Sequence, residues 1–362
     1  MLVAGVTLVP ALLAATGKKL FWPSRSWRVR HDHGPASRLG AFVAHRSARI
    51  ALVGTGVLVA QSLAAVGGKM SYDLGSLPEN AKAQQVQEQI DRILPKGVTD
   101  RQEIYVSSAT PLTAAALEPM RERLAQVEKV GQVSQPVFAD GGRAAQIDVA
   151  LTISSVTSQA LDLAGEGGPL RTAAHEAAPP GATAMVGGNA SVFADVGSSV
   201  NKDLRLIFPV AAGLILLILV LMLRSVVAPF YLLVAVGLEF AATLGTAILV
   251  FQHGMGHDGV VFTLPLVLFL FVVAIGTDYN ILMSARLREE LGNGGSQRDA
   301  TARAVRAVAP AIAAAGLVLA ASFSSLMLNK DLNTREIGFA MAMGILVASL
   351  LVSTLLVPAV TT

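Results

Sequence analysis

The sequence predicts a polytopic α-helical membrane protein that carries one α/β domain outside the bilayer. Three observations lead there. The chain is 53% hydrophobic and 15% charged, with a mean hydropathy of +0.57, whereas a soluble domain carries about 25% charge. Apolar runs of spanning length recur along it. The arginines and lysines collect in the segments between alternate runs, the pattern of cytoplasmic loops under the positive-inside rule. The predicted layout is five full spans and one partial span around a single large polar region.

Composition also removes whole classes of function. There is no cysteine, so a disulfide frame, a Cys-ligated metal and thiol chemistry are excluded. A net charge of +3 gives no reason to expect a nucleic-acid partner. Heavy use of Ala, Gly, Val and Arg suits a GC-rich, actinobacterium-like genome.

Residues 1–16 are apolar and are followed by Lys18 and Lys19. A secretory signal places its charge before the apolar run, and about 20 residues are needed to span. The run is therefore expected to be the end of a preceding transmembrane helix. Residues 17–49 hold eight basic residues against one acid, Asp32, and form a cytoplasmic basic loop, with Phe21, Trp22 and Trp27 as interfacial anchors. His31 and His33 flank Asp32, but no further ligands stand near them and a metal is not expected. Residues 50–66 form a transmembrane helix of minimal length.

Residues 67–204 form the extracytoplasmic α/β domain. Helical periodicity is expected over Ala81–Leu94, Thr113–Val127 and, more weakly, Val156–His175. Strands are expected at Glu103–Ser108, Arg143–Ile153 and Thr183–Val186. The alternation favours an open-faced α/β sandwich. Gly187, Gly188 and Asn189 read as a turn and helix cap, and a helix from Asn189 runs directly into the next span. No phosphate-binding glycine loop and no nucleophile elbow appear, so neither an enzyme nor a bound cofactor is expected.

Residues 205–362 form a five-helix transmembrane bundle, with spans at 205–223, 229–251, 261–284, 308–328 and 337–360. Arg224 closes a tight cytoplasmic turn. His253, His257 and Asp258 fall in a short glycine-containing outer loop and are expected to be solvated, not metal-bound. Pro209, Pro229, Pro265 and Pro310 read as helix starts. Ser322, Ser324 and Ser325 are expected to bond locally.

The span 261–284 organises the rest. It holds one ionisable group well inside, Asp278, followed by Tyr279. The carboxyl lies roughly 7–8 Å past mid-span at 1.5 Å per residue, still within hydrocarbon. An acid there is expensive and is read as functional by default. It is expected to face a bundle interior, poised to load and release a proton. A structural alternative is a protonated acid hydrogen-bonded between helices. Glu239, close to the middle of span 229–251, is the second candidate, read as a second protonatable group, as the cap of a water-filled cavity or as a neutral acid at a helix interface. Only one Asp lies deep in any span, so an intramembrane aspartyl hydrolase, which needs two facing aspartates, is not expected.

The chain's two ends repeat a short pattern: Leu8-Val9-Pro10-Ala11 matches Leu356-Val357-Pro358-Ala359. One span, a large outer domain and five more spans then make one repeat of a parallel-repeat transporter. With Gly276-Thr277-Asp278-Tyr279-Asn280 followed by Arg286-x-Arg-Glu-Glu290, with Phe21-Trp22-Pro23 after Leu8–Ala11, and with Val186-Gly187-Gly188-Asn189-Ala190, the chain resembles the C-terminal half of the MmpL (mycobacterial membrane protein large) branch of the resistance–nodulation–division (RND) superfamily.

That resemblance implies an RND half-transporter in the cytoplasmic membrane. It would export lipids or other hydrophobic compounds on proton-motive force. Asp278 and Tyr279 would form half of a proton relay completed by an Asp-Tyr pair in an N-terminal half. Relatives also carry an acid within the last helix. Leu346–Ser353 has none here, and Glu239 is the candidate substitute. The partners implied are protons, a hydrophobic substrate, and either an N-terminal half or further copies of the chain. The alternative is a truncated or split half that works only with a partner half or as a membrane scaffold.

Overall fold

The computed structural model describes residues 7–17, 34–72, 86, 89, 93, 101–257 and 259–362. In chain order the helices are α1 (Val9–Thr16), α2 (Pro35–His45), α3 (Ser47–Leu63), α4 (Ala114–Ala125), α5 (Ser158–Ala164) and α6 (Pro169–Glu176). The long helices follow: α7 (Asn189–Leu223), α8 (Val227–Gly254), α9 (Leu264–Gly292), α10 (Gln297–Leu328) and α11 (Leu332–Val360). The strands are β1 (Met70–Ser71), β2 (Gln102–Ser108), β3 (Val130–Val133), β4 (Val137–Ala139), β5 (Ala144–Leu151), β6 (Ala182–Gly187) and β7 (Val260–Val261).

Strands β2 to β6 make one antiparallel sheet in the order β3-β5-β2-β6, with β4 also paired to β5. Period-2 alternation turns Ile104 and Val106 of β2, and Ala145, Ile147 and Val149 of β5, to the same side. There they bury against Leu117, Met120 and Leu124 of α4, Leu163 of α5 and Leu170 of α6. The opposite face of the sheet is open, with Tyr105, Phe138 and Met185 exposed. Thr113 starts α4 by accepting from the Ala116 amide, and Thr157 does the same for α5 from Ala160. The helix expected over 156–175 is two helices, because the chain turns out at Gly165–Gly168, where α5 ends and α6 begins. The helix expected over Ala81–Leu94 lies almost wholly outside the described residues.

Among the described residues five helices, α7 to α11, are long and apolar enough to cross a membrane, and the α2–α3 pair makes a sixth if its 90° bend is counted within one span. Residues 17–49 are not all loop: Pro35–His45 is helical, and it lies along α10 so closely that a side chain at Gly40 would meet the Ala302 carbonyl. Pro209 and Pro310 are not helix starts but lie inside α7 and α10. Pro229 and Pro265 do stand in the first turns of α8 and α9. Arg224 makes the expected tight turn in the left-handed region, φ 46°. Three spans contain wider, π-helical stretches, at Leu249–Gly254, Phe269–Val273 and Val347–Leu356. In the last of these Thr354 bonds back five residues to the Ser349 carbonyl at 2.6 Å.

Helices in lipid gain nothing from burying apolar surface against one another, so they associate by close packing at small residues. The crossing of α3 and α8 is such a case, with Gly245 directly over the Gln61 carbonyl. A Gly245→Ala change forces two backbones apart and is expected to cost about 1–3 kcal/mol. Gly237→Ala, in the same helix with open space around it, serves as the control and is expected to be neutral or slightly stabilising, since Ala is the better helix former. Thermal unfolding of the detergent-solubilised chain separates the two. Equal midpoints for both variants would refute the tight crossing.

Candidate functional site

α9 presents two different faces because Gly276 and Asn280 are one turn apart, as are Asp278 and Leu282. The first pair is buried against α8 and α11, and the second is exposed. Asp278 stands midway along this 29-residue helix. It does not face the bundle interior, as expected from its cost in lipid, but opens into a groove of about 1030 Å³. Met222 and Leu223 of α7 and Tyr279, Leu282 and Arg288 of α9 help to line it. The correction has a simple origin: this chain alone does not cover that face of α9.

Tyr279 is half-buried and packs on the cluster that contains Leu219, Leu223 and Met283. At the groove's far end Arg288 donates to the Leu223 carbonyl at 3.0 Å. That bond satisfies one of the free carbonyls at the C-terminus of α7 and ties α7 to α9. The groove thus is mostly apolar, with the Asp278 carboxyl and the Tyr279 phenol at one end of its α9 lining and Arg288 and Glu289 toward the other.

The acid that does face the interior is Glu239. It is fully buried, midway along α8, and neither carboxyl oxygen has a hydrogen-bond partner among the described residues. Its carboxyl lies on the backbone of α9 at Gly276, where a Cβ would come within 2.7 and 2.9 Å of the two oxygens. Only a glycine leaves room for a carboxyl at that place. A carboxyl buried without a partner is costly, which is the ground for reading it as functional.

One turn along, the Asn280 amide oxygen accepts from the Ser353 hydroxyl at 2.7 Å, and its nitrogen has no partner among the described residues. Thr243 donates to the Glu239 backbone carbonyl at 2.8 Å. Ser349 and Thr354 of α11 are also buried. The segment Leu346–Ser353, which lacks the acid expected in the last helix, thus supplies hydroxyls to an interior whose acid comes from α8. Asn280 and Ser353 were not among the sequence candidates; the polar residue one turn after Gly276 in an otherwise apolar face was the available signal.

The remaining candidates fall outside this arrangement. Ser322, Ser324 and Ser325 donate to their own helix's carbonyls three or four residues back. His257 lies at the domain end of the bundle, 3.4 Å from Glu336. His31, Asp32, His33 and Asp258 lie outside the described residues. Among the described residues no three His, Asp or Glu side chains gather as a metal site.

A family model described as the MMPL family matches residues 75–362. The chain is 31% identical over 369 residues to the Streptomyces coelicolor membrane protein SCO5905, covering 99% of this chain and 43% of that protein. It is 37% identical over 169 residues to the sulfolipid-1 exporter MmpL8 of Mycobacterium tuberculosis, covering 47% of this chain and 15% of that protein. The solved structure of SecDF in its super-membrane-facing form overlays on 89% of this chain, and on 37% of its own length, with a TM-score of 0.42 and 16% identity. That likeness is too low to carry an argument. The chain spans about half the length, or less, of the curated relatives it matches from end to end.

The contact of Glu239 with Gly276 can be measured by a double-mutant cycle. Gly276→Ala alone is expected to destabilise by roughly 1–3 kcal/mol, and Gly276→Ala with Glu239→Ala to recover much of that, a coupling of about 0.5–3 kcal/mol. Thermal unfolding of the four proteins gives the cycle. Simple additivity would mean that the carboxyl does not rest on Gly276.

Proposed function

The chain belongs to the MMPL family, and on that premise we propose that it is the C-terminal half of a proton-driven exporter of lipids or other hydrophobic compounds. It is a multi-pass membrane protein, and the proposal puts it in the cytoplasmic membrane with its α/β domain outside. The observation that carries the reading is the position of Asp278, a carboxyl at mid-span in an open and largely apolar groove. Facing lipid, that acid is a liability. Facing a second half with a matching polar pair, it is half of a relay. A carboxyl shared between two such faces can take a proton from one side of the membrane and release it to the other. Tyr279, beside it, supplies a phenol that both donates and accepts. The name of MmpL8 as a sulfolipid exporter supports a lipid-like cargo.

Glu239 enters the same scheme from the opposite side of α9. Its carboxyl rests on Gly276, two residues from Asp278. Protonation at either acid is felt by the same helix, and we assign Glu239 to the relay as its buried member.

The test is export by the full chain with its partner half in inside-out vesicles under an imposed pH gradient. Asp278→Asn is expected to lower export by about a hundredfold or more, the scale of losing a residue that acts in the transfer itself. Tyr279→Phe and Glu239→Gln are expected to lower it less, with each variant present in wild-type amounts. An ionophore that collapses the gradient is expected to stop the wild type. Export by Asp278→Asn at the wild-type rate would sink the relay.

A further inference from the structure

At the domain end of the bundle a small joint ties three separate parts of the chain together. Strand β1 is the short link between α3 and the α/β domain. It pairs in parallel with β7, which immediately precedes α9, with Met70 opposite Val260 and Ser71 opposite Val261. The Val260 amide donates to the Lys69 carbonyl and the Phe262 amide to the Ser71 carbonyl, both at 3.0 Å. The Lys69 amide in turn donates to the Gln252 side chain at 3.1 Å. Gly259 crosses so close to this link that a Cβ there would lie 2.7 Å from the Lys69 carbonyl oxygen.

The other edge of β7 is held by a side chain. Glu336, in the first turns of α11, is 1% exposed and accepts from the Val261 amide at 2.8 Å. Its second oxygen lies 3.4 Å from the His257 ring, which stacks on Phe251 at 5.7 Å. Beyond the strand pair the Tyr72 ring stacks on Phe262 at 4.9 Å and fills the space beside Gly197 of α7. A buried carboxyl that accepts from a backbone amide cannot be removed without leaving that amide unpaired. None of these groups reaches the Asp278 groove.

We propose that Glu336 is a positioning residue for transport: by holding the Val261 amide it locks β7 onto β1, so that α9 and the strand leading to the α/β domain move as one rigid piece. A shift of α9 on protonation then reaches α7, the helix that leaves the domain, through Tyr72 against Gly197. This rests on the exporter reading, and only there does it have a transport consequence. The joint itself is a structural claim that stands or falls separately.

The absence of cysteine from this chain simplifies the test, since any thiol in these 362 residues is an introduced one. Met70→Cys with Val260→Cys sits on opposed Cα positions of the pair and is expected to form a disulfide on mild oxidation in native membranes. Glu336→Ala and, separately, Gly259→Ala are expected to slow that cross-linking by about tenfold, the scale of leaving a buried amide unpaired. Equal cross-linking rates would overturn the joint whatever the chain transports.

The second arm reads export. Glu336→Ala is expected to reduce it by about tenfold, Glu336→Gln to keep most of it because the amide oxygen still accepts, and the disulfide to restore export to Glu336→Ala until a reductant is added. Loss of export on cross-linking an otherwise native chain would overturn the proposal, because the joint would then have to move. So would failure of the disulfide to rescue. If the native chain exports nothing while the cross-linking result holds, it is the exporter reading that fails and not the joint.

Discussion

An acid in or beside a membrane-spanning helix needs an answer on the spot, and this structure depends on the answers given to four: Glu239 and Asp278 at the middle of their helices, Glu290 and Glu336 near the ends of theirs. Glu290, near the end of α9, is buried between Arg286 and Arg303, the latter 2.7 Å away. Glu336 is buried on a backbone amide. Glu239 has no hydrogen-bond partner among the described residues and lies against a glycine backbone. Asp278 is left on an open face. The first two are satisfied in place and act as fastenings. The other two are not, and in a low-dielectric medium an unsatisfied acid persists only where something outside the static arrangement compensates for it. Satisfaction, more than position along the chain, separates the structural acids from the proposed relay.

The same constraint explains the glycines at the helix contacts. With no hydrophobic drive for helices to meet in lipid, the bundle relies on short approaches between backbones. Gly40 against α10, Gly245 against α3 and Gly276 against the Glu239 carboxyl are all such approaches. The first two bring helix to helix. At Gly276 the space made by the missing side chain is taken by a polar group instead, so the packing device that builds the bundle also houses its buried acid.

Much of this was legible in the sequence. The spans, the large domain between them, its central strands and the two candidate acids all follow from apolar run length, charge placement and period-2 alternation. The facing of Asp278 did not follow. α9 is apolar nearly all round above Gly276, so no amphipathic stripe marks an inside, and the π-helical stretch Phe269–Val273 adds to the turn and shifts the phase of everything after it. The partner of Glu239 was hidden for a related reason, since a glycine contact leaves no complementary side chain to find. Helix α2 was missed because it lies in a segment whose eight basic residues read as loop, although Leu39, Phe42 and Val43 stand at helical spacing within it, and it packs on α10. The joint at β1 and β7 was invisible because each strand has only two residues, and its cohesion comes from a carboxylate 75 positions away in the chain.

These separate features meet in α9. Gly276 and Asp278 are two residues apart on one continuous helix, so their side-chain directions differ by about 200° and their heights by about 3 Å. A helix is stiff over that distance. In the proposed exporter, a change in charge at Asp278 that draws α9 toward a partner half would drag Gly276 across the Glu239 carboxyl. Neither acid needs to see the other through space for the two to be coupled, because the backbone between them is the link. Some 15 residues before Asp278 the same helix begins at the strand that Glu336 holds. In the proposed exporter, proton chemistry on one side of α9, a buried acid on the other and the path to the α/β domain at its head are therefore three loads on a single rigid element.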